Sequence, residues 1–215
     1  PDGQWIAFVS NQDGTQDIYR SRPDGTGLAR LTADAAEDSK PTWSPTSAQI
    51  AFASRRNDAA RQVFRMDPNG GNVVQLTSNG PTLDFPHVIP DRHPHFSHDG
   101  TKIIYSSKYE CVKTEARTVA SQCSVPVEII PENPCGANCE GMRVMDIDGD
   151  NLISITSDDL TNANAAVWPT RADTEARYVG HPSFSPDGTK IVFSGAVDGQ
   201  GRNWEVYVAD WDGST

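Results

Sequence analysis

The stretch His181–Gly195, HPSFSPDGTKIVFSG, is almost repeated at His93–Ser107 as HPHFSHDGTKIIYSS. Two looser copies stand at Pro1, PDGQWIAFVS, and at Pro41, PTWSPTSAQIAFAS. A second string follows each of the four: QDIYRSRPDGTGLARLT from Gln16, RQVFRMDPNGGNVVQLT from Arg61, GMRVMDIDGDNLISIT from Gly141 and WEVYVADWDGST from Trp204. Self-similarity of this kind marks a series of equivalent supersecondary units, so the unit has to be read before the chain.

Each unit holds a short aromatic-bearing segment, a Pro-Asp-Gly type turn, an apolar run, a loop and an alternating segment such as DIYRSR or EVYVAD. A second Asp-Gly or Asn-Gly turn and a last segment closing on Leu-Thr or Ile-Thr complete it. Asp-Gly and Asn-Gly between β-type runs mark tight hairpins, because the turn demands a positive φ that Gly adopts freely and Asn or Asp at little cost. The unit is thus a four-stranded antiparallel sheet. From Gly3 to the equivalent Ser47 is 44 positions, and from Gly25 to Gly70 is 45, the spacing of a propeller blade. The fold class expected is all-β: a β-propeller of four-stranded antiparallel blades, about four of them in residues 1–215, read as one domain. With strands named a to d from the axis outward, the chain holds b, c and d of a first blade, two whole blades, and a, b and c of a fourth.

The strings resemble the TolB-like family of propeller repeats, whose pattern runs Pro-x-Trp/Phe-Ser-Pro-Asp-Gly, an apolar strand, a Tyr-bearing strand, Asp-Gly and Leu-Thr. The resemblance covers nearly the whole chain. It departs at 46–48, where Thr46 and Ser47 replace Asp-Gly, and at 108–140, an insertion that matches nothing in the repeat. It implies a six-bladed or larger ring. It does not imply one activity, since the family includes envelope scaffolds, peptidase-associated propellers and sugar-acid lyases.

In an antiparallel blade the a–b and c–d turns share one end and the b–c and d–a connections share the other. The first end carries only tight turns such as SPDG, DPNG and DIDG. The second carries TADAAEDSK after Leu31, SNGPTLDFPHVIPDR after Thr77, the insertion after Ser107, and SDDLTNANAAVWPTRADTEARYVG after Thr156. Binding residues concentrate on long loops, so a recognition surface is expected at the second end, with Trp168 and His87 as contact candidates.

All four cysteines, Cys111, Cys123, Cys135 and Cys139, lie in the insertion. An even number in one loop fits two disulfides and an oxidising compartment, periplasmic or extracellular. A four-thiolate zinc site is the rival, but the paired Cys-x2-Cys knuckles it uses are absent. Four of the five histidines, His87, His93, His95 and His98, crowd one d–a connection and the strand it enters, and His181 repeats the place of His93. In a regular strand His93 and His95 share a side, so with His181 they form a candidate divalent-metal site, neutral imidazole being a common ligand. The chain also resembles oligogalacturonate lyases, which use a His-x-His pair to hold manganese; no glutamine matching theirs precedes the pair here. The alternative is that His-Pro merely opens the repeat, and Lys40 fills the same place in the second unit.

Other chemistry finds no support. There is no Gly-x-Ser-x-Gly elbow, no phosphate-cradling glycine loop and no Asn-x-Ser/Thr sequon. DIDGDN (146–151) lacks the glycine and glutamate of a calcium loop and occupies the place of RPDGTG and DPNGGN, so it reads as a hairpin turn. A net charge of −11 and a pI near 4.7 argue against nucleic acid. No apolar run is long enough for a membrane helix. The function expected is an extracytoplasmic binding or assembly scaffold that engages a protein, peptide or glycan through the long-loop end, without a cofactor. Self-assembly through open strand edges is a further expectation. The competing readings are a metal-dependent lyase and the propeller part of a larger peptidase.

Overall fold

A computed structural model of the chain describes residues 1–57, 60–78, 91–109, 139–155, 178–196 and 204–211. The strands are β1 (Ile6–Ser10), β2 (Asp17–Ser21), β3 (Ala29–Arg30), β4 (Asp38–Trp43), β5 (Ile50–Ser54), β6 (Gln62–Met66) and β7 (Val74–Gln75). They continue with β8 (Asp91–Phe96), β9 (Lys102–Tyr109), β10 (Cys139–Asp146), β11 (Ile153–Ile155), β12 (Tyr178–Phe184), β13 (Lys190–Ala196) and β14 (Trp204–Asp210). They form four antiparallel sheets, β1-β2-β3, β4-β5-β6-β7, β8-β9-β10-β11 and β12-β13-β14. This is the inventory the repeat predicts, with the first blade lacking an inner strand and the fourth an outer one among the described residues. None of these residues lies in a helix long and apolar enough to cross a membrane.

The turns use the chemistry their sequences specify. In the a–b hairpin at Ser97–Lys102, the Ser97 amide donates to the Lys102 carbonyl and the Gly100 amide to the Ser97 carbonyl. Asp99 accepts from the Ser97 hydroxyl at 2.6 Å and from the Thr101 amide at 3.0 Å. Ser185–Lys190 repeats these bonds. Four bonds from its own turn hold the Asp187 carboxyl down to about 2, the Ser185 hydroxyl first. In the c–d hairpins the amides of Arg22, Asp67 and Asp146 donate to the carbonyls four residues on, which makes DIDGDN the hairpin turn expected. The closing Leu-Thr also has a physical reason. Thr32 and Thr77 are buried, and their hydroxyls accept from the amides of Ile18 and Val63 at 3.0 and 2.9 Å, groups that would otherwise be orphaned where β3 and β7 stop.

The first strands of successive sheets, β4, β8 and β12, pack in order around the inside. Between the sheets lie three apolar joints. The first gathers Ile18 and Leu31 against Ile50, Phe52, Phe64, Met66 and Trp43. The second sets Ala51 and Val63 against Phe96, Ile103, Tyr105 and Met145. The third sets Ile104, Met142, Val144 and Ile155 against Phe184, Ile191, Phe193 and Trp211. The aromatics of the inner strands therefore fill joints, as their place in the repeat predicts. Each fully buried aliphatic or aromatic side chain contributes about 1.5–3 kcal/mol.

A backbone contact sets the spacing of the sheets. A Cβ on Gly70 would lie 2.5 Å from the Leu31 carbonyl oxygen, and one on Gly149 would lie 2.9 Å from that of Leu76. The c–d turn of one blade rests directly on the outer strand of the blade before it. These glycines also hold φ of +87° and +96°, so both conformation and space demand them.

The ends of the insertion are part of the ladder. Lys108 and Tyr109 pair with Glu140 and Cys139, and the Tyr109–Cys139 pair carries β9 and β10 one residue further than the equivalent strands of the fourth sheet. Residues 110–138, with Cys111, Cys123 and Cys135, lie outside the described residues, as do His87 and Trp168.

Candidate functional site

The inner strands share one irregularity. Pairing slips by a residue between Ser39 and Thr42 in β4, between Arg92 and His95 in β8, and between Gly180 and Ser183 in β12. Inside each slip stands a residue with positive φ, Lys40 at 56°, His93 at 53° and His181 at 53°. Each precedes a proline, whose ring crowds the residue before it out of the right-handed helical region. A left-handed residue there takes up the extra length as a β-bulge, and bulges re-aim side chains. The regular alternation expected for His93 and His95 is broken by this bulge.

The bulges bring Lys40, His93 and His181 into one neighbourhood. The His93 and His181 rings meet with centroids 3.8 Å apart and planes inclined by 37°. Ser106 Oγ donates to the Arg92 carbonyl at 3.1 Å, so it accepts from His93 Nδ1 at 3.1 Å. Ser194 Oγ donates to the Gly180 carbonyl at 2.8 Å and stands 3.3 Å from His181 Nδ1. This pattern assigns the Nδ1–H tautomer to both rings and leaves both Nε2 atoms without the proton. Burial first, then His181, Lys40, Arg92 and Arg61, push His93 down to about 3. Burial and Lys40 lower His181 as well. Both imidazoles are neutral at pH 7.

His95 goes elsewhere. Its ring nitrogens lie 3.3–3.4 Å from Ser183 Oγ on the next inner strand, and burial lowers its pKa. The three histidines nominated from sequence thus divide into a pair in tilted ring contact and a separate ring. Among the described residues no three His, Cys, Asp or Glu side chains converge as a metal would need. At the pair the chain supplies two imidazoles and an ammonium, a donor set that fits a manganese ion poorly because Lys40 repels a cation. The carboxylates opening the inner strands are already engaged: Asp38 accepts from Arg56 at 2.8 Å and Asp91 from Ser107 at 2.7 Å.

Sequence reasoning named His93 and His181 but treated Lys40 only as a substitute that speaks against an imidazole requirement. The signal for its inclusion was its place in the repeat. Arg61 and Arg92 were missed, since neither lies in a matching string position that marks the axis. Arg61 also pairs with Glu37 at 2.9 Å.

The TolB beta propeller domain model matches residues 1–125, more than half of the chain. The chain belongs to the TolB β-propeller family. Within curated proteins it is 35% identical to the uncharacterized protein Atu1656 of Agrobacterium fabrum over 42% of this chain and 34% of that protein. It is 27% identical to the uncharacterized peptidase YuxL of Bacillus subtilis over 97% of this chain and 31% of that one. The chain therefore spans about a third of the length of these relatives. Among solved structures, TolB from Acinetobacter baumannii superposes with a TM-score of 0.55 at 20% identity, covering 99% of this chain and 42% of that one. At that identity the likeness concerns the fold, and it agrees with the TolB family architecture of four-stranded blades.

Proposed function

We propose that this TolB-family chain is a non-catalytic, extracytoplasmic scaffold that binds a protein, peptide or glycan through the end of the blades where the long connections meet. One observation carries the reading. Every described a–b and c–d hairpin is a tight turn closed by its own backbone bonds, whereas the links from Tyr109 to Cys139 and from Ile155 to Tyr178 leave from the opposite end. Rigid sheets presenting long loops at one end are a common arrangement for recognition. Trp168, on the second of these links, and His87, on the connection from Gln75 to Asp91 at the same end, are the proposed contacts. Two disulfides among Cys111, Cys123, Cys135 and Cys139 are proposed with this reading, since an even number of cysteines in one insertion fits an oxidising compartment; four free thiols under non-reducing denaturation would remove that support.

The test is photocrosslinking capture from envelope extract. The wild-type chain is compared with a variant whose residues 110–138 are replaced by a short Gly-Ser turn and with a tight-turn variant, Asp99→Asn/Asp187→Asn. A partner lost with the loop and kept by the turn variant supports the reading. Capture indifferent to both sets of changes overturns it.

A second reading, the propeller part of a larger peptidase, is favoured by the YuxL match, which spans 97% of this chain but 31% of that protein. A transcript that runs on from these blades into a hydrolase segment with a serine nucleophile would support it, and one without such a segment would end it. The lyase reading needs a divalent ion at His93, His95 and His181. Metal analysis of the wild type, His93→Ala and His95→Ala decides it, and absence of metal from the wild type ends it.

A further inference from the structure

Positive charge gathers at the inner strands of a chain whose formal net charge is −11. The Asp91 amide donates to the Arg61 carbonyl at 2.7 Å, which sets the start of β6 beside the start of β8. Asp91 and Arg92 pair in regular register with Ser107 and Ser106, so their side chains leave opposite faces of the sheet. The Asp91 carboxylate accepts from the Ser107 hydroxyl at 2.7 Å. Arg92 shares its face with Ser106, the hydroxyl that accepts from His93 Nδ1. One carboxylate, Glu37, serves two guanidiniums nearby, accepting from Arg61 at 2.9 Å and standing 4.0 Å from Arg55. The Lys40 and Arg92 side chains have no carboxylate partner among the described residues, and Arg92 Nε is buried without an acceptor. The charges of Lys40, Arg92 and Arg61 all bear on the His93 ring, and that of Lys40 bears on His181 too. Lys40, Arg61, Arg92 and His93 belong to the second and third sheets, each of which has another sheet packed on either side within the chain. This cluster is therefore internal to the series of blades.

We propose that Lys40, Arg92 and the His93–His181 pair form a binding site for a small oxyanion that also carries a hydroxyl donor, either hydrogen phosphate or a hydroxycarboxylate. The two kinds of protein group divide the recognition. Ammonium and guanidinium supply positive charge and donors, and a guanidinium fork matches the paired oxygens of a carboxylate or phosphate. The imidazoles supply the reverse. With each Nδ1–H turned to a serine hydroxyl, each Nε2 is an acceptor, and neither has a donor partner among the described residues. An anion that only accepts leaves those nitrogens unmet, whereas one with an O–H group satisfies them. The site thus calls for two things a metal ion lacks, negative charge and a proton to share. It is built from strand residues, uses neither Trp168 nor His87, and goes beyond the loop-end recognition above.

The experiment is calorimetric titration of the protein at neutral pH and low salt, where charge is least screened, with two matched pairs: phosphate against sulfate, and malate against succinate. Only phosphate and malate carry a hydroxyl donor. At least one pair is expected to bind, its donor-bearing member at least about tenfold tighter than the other. The pair that binds tighter names the source of the oxyanion. Lys40→Asn and Arg92→Gln are each expected to weaken that ligand at least about fivefold, while Arg22→Gln, in the first c–d hairpin, leaves it unchanged. Lys40 is exposed and asparagine accepts its left-handed φ of 56°, so Lys40→Asn keeps the test open even where Arg92→Gln fails to fold. Nitrogen NMR of the rings should show the ligand moving His93 and His181 Nε2 and leaving His95 in place. Binding by neither pair, equal affinity within the pair that binds, or affinity indifferent to Lys40→Asn overturns the proposal. None of these outcomes bears on capture through the long-loop end, which is measured separately.

Discussion

Ser47 holds φ at +57° where the equivalent positions Gly3, Gly100 and Gly188 sit at +72°, +73° and +72°. A side chain in that region carries a steric cost that glycine escapes, partly offset by the greater freedom glycine brings to the unfolded chain. Ser47→Gly is expected to raise stability by about 0.5–1 kcal/mol, read as a Tm increase of about 1–3 °C. At His93 the same backbone region meets a titratable ring. Its pKa falls from 6.5 to about 3 on folding, so between those values the unfolded chain binds more protons and stability drops as pH falls. Thermal melts from pH 7 to pH 4 should show His93→Asn losing less stability than the wild type, since asparagine tolerates a left-handed φ and carries no titrating group. Equal acid sensitivity in the two proteins would contradict the neutral assignment of the ring.

Among the elements, the c–d turns offer a controlled comparison. Gly25 and Gly70 hold φ of +84° and +87°, but a Cβ at Gly25 meets nothing within 4 Å while one at Gly70 strikes the Leu31 carbonyl. Gly25→Ala therefore reports backbone conformation alone, and Gly70→Ala adds the displacement of one blade from the next. The second is expected to cost roughly 1–3 kcal/mol more than the first by chemical denaturation. The elements were also the most legible part of the sequence. Asp-Gly and Asn-Gly turns at matched places in the repeat, with Thr46-Ser47 standing in at one of them, mark the sheets even where long loops stretch the spacing beyond the 44 or 45 positions of the first two units, since hairpin chemistry is local and depends on few side chains. The inner-strand bulge was not legible. It follows from a proline acting on the backbone before it while a neighbouring strand fixes the register, and alternation by twos carries no record of that combination. The meeting of His93 with His181 was half visible, because identical places in the repeat announced equivalent positions but not a 3.8 Å ring contact. His87 and Trp168 lie on connections whose course depends on tertiary contacts that no repeat encodes.

For the molecule as a whole, the three joints share a plan while differing in content. Ile18, Val63 and Met142 occupy one position, and Trp43, Phe96 and Phe184 another, so volume is traded across each seam while geometry is kept. At the first two of these joints the seat of a turn glycine on the preceding leucine fixes the pitch, since a backbone-to-backbone approach leaves no adjustable side chain between the parts. Such a fastening is modular: a gene duplication that copies one whole unit brings along both its own glycine and its own leucine. Lineages bearing this repeat can accordingly lengthen or shorten their arrays by entire blades without inventing a new seam, whereas a partial duplication leaves one half of a fastening with nothing to hold.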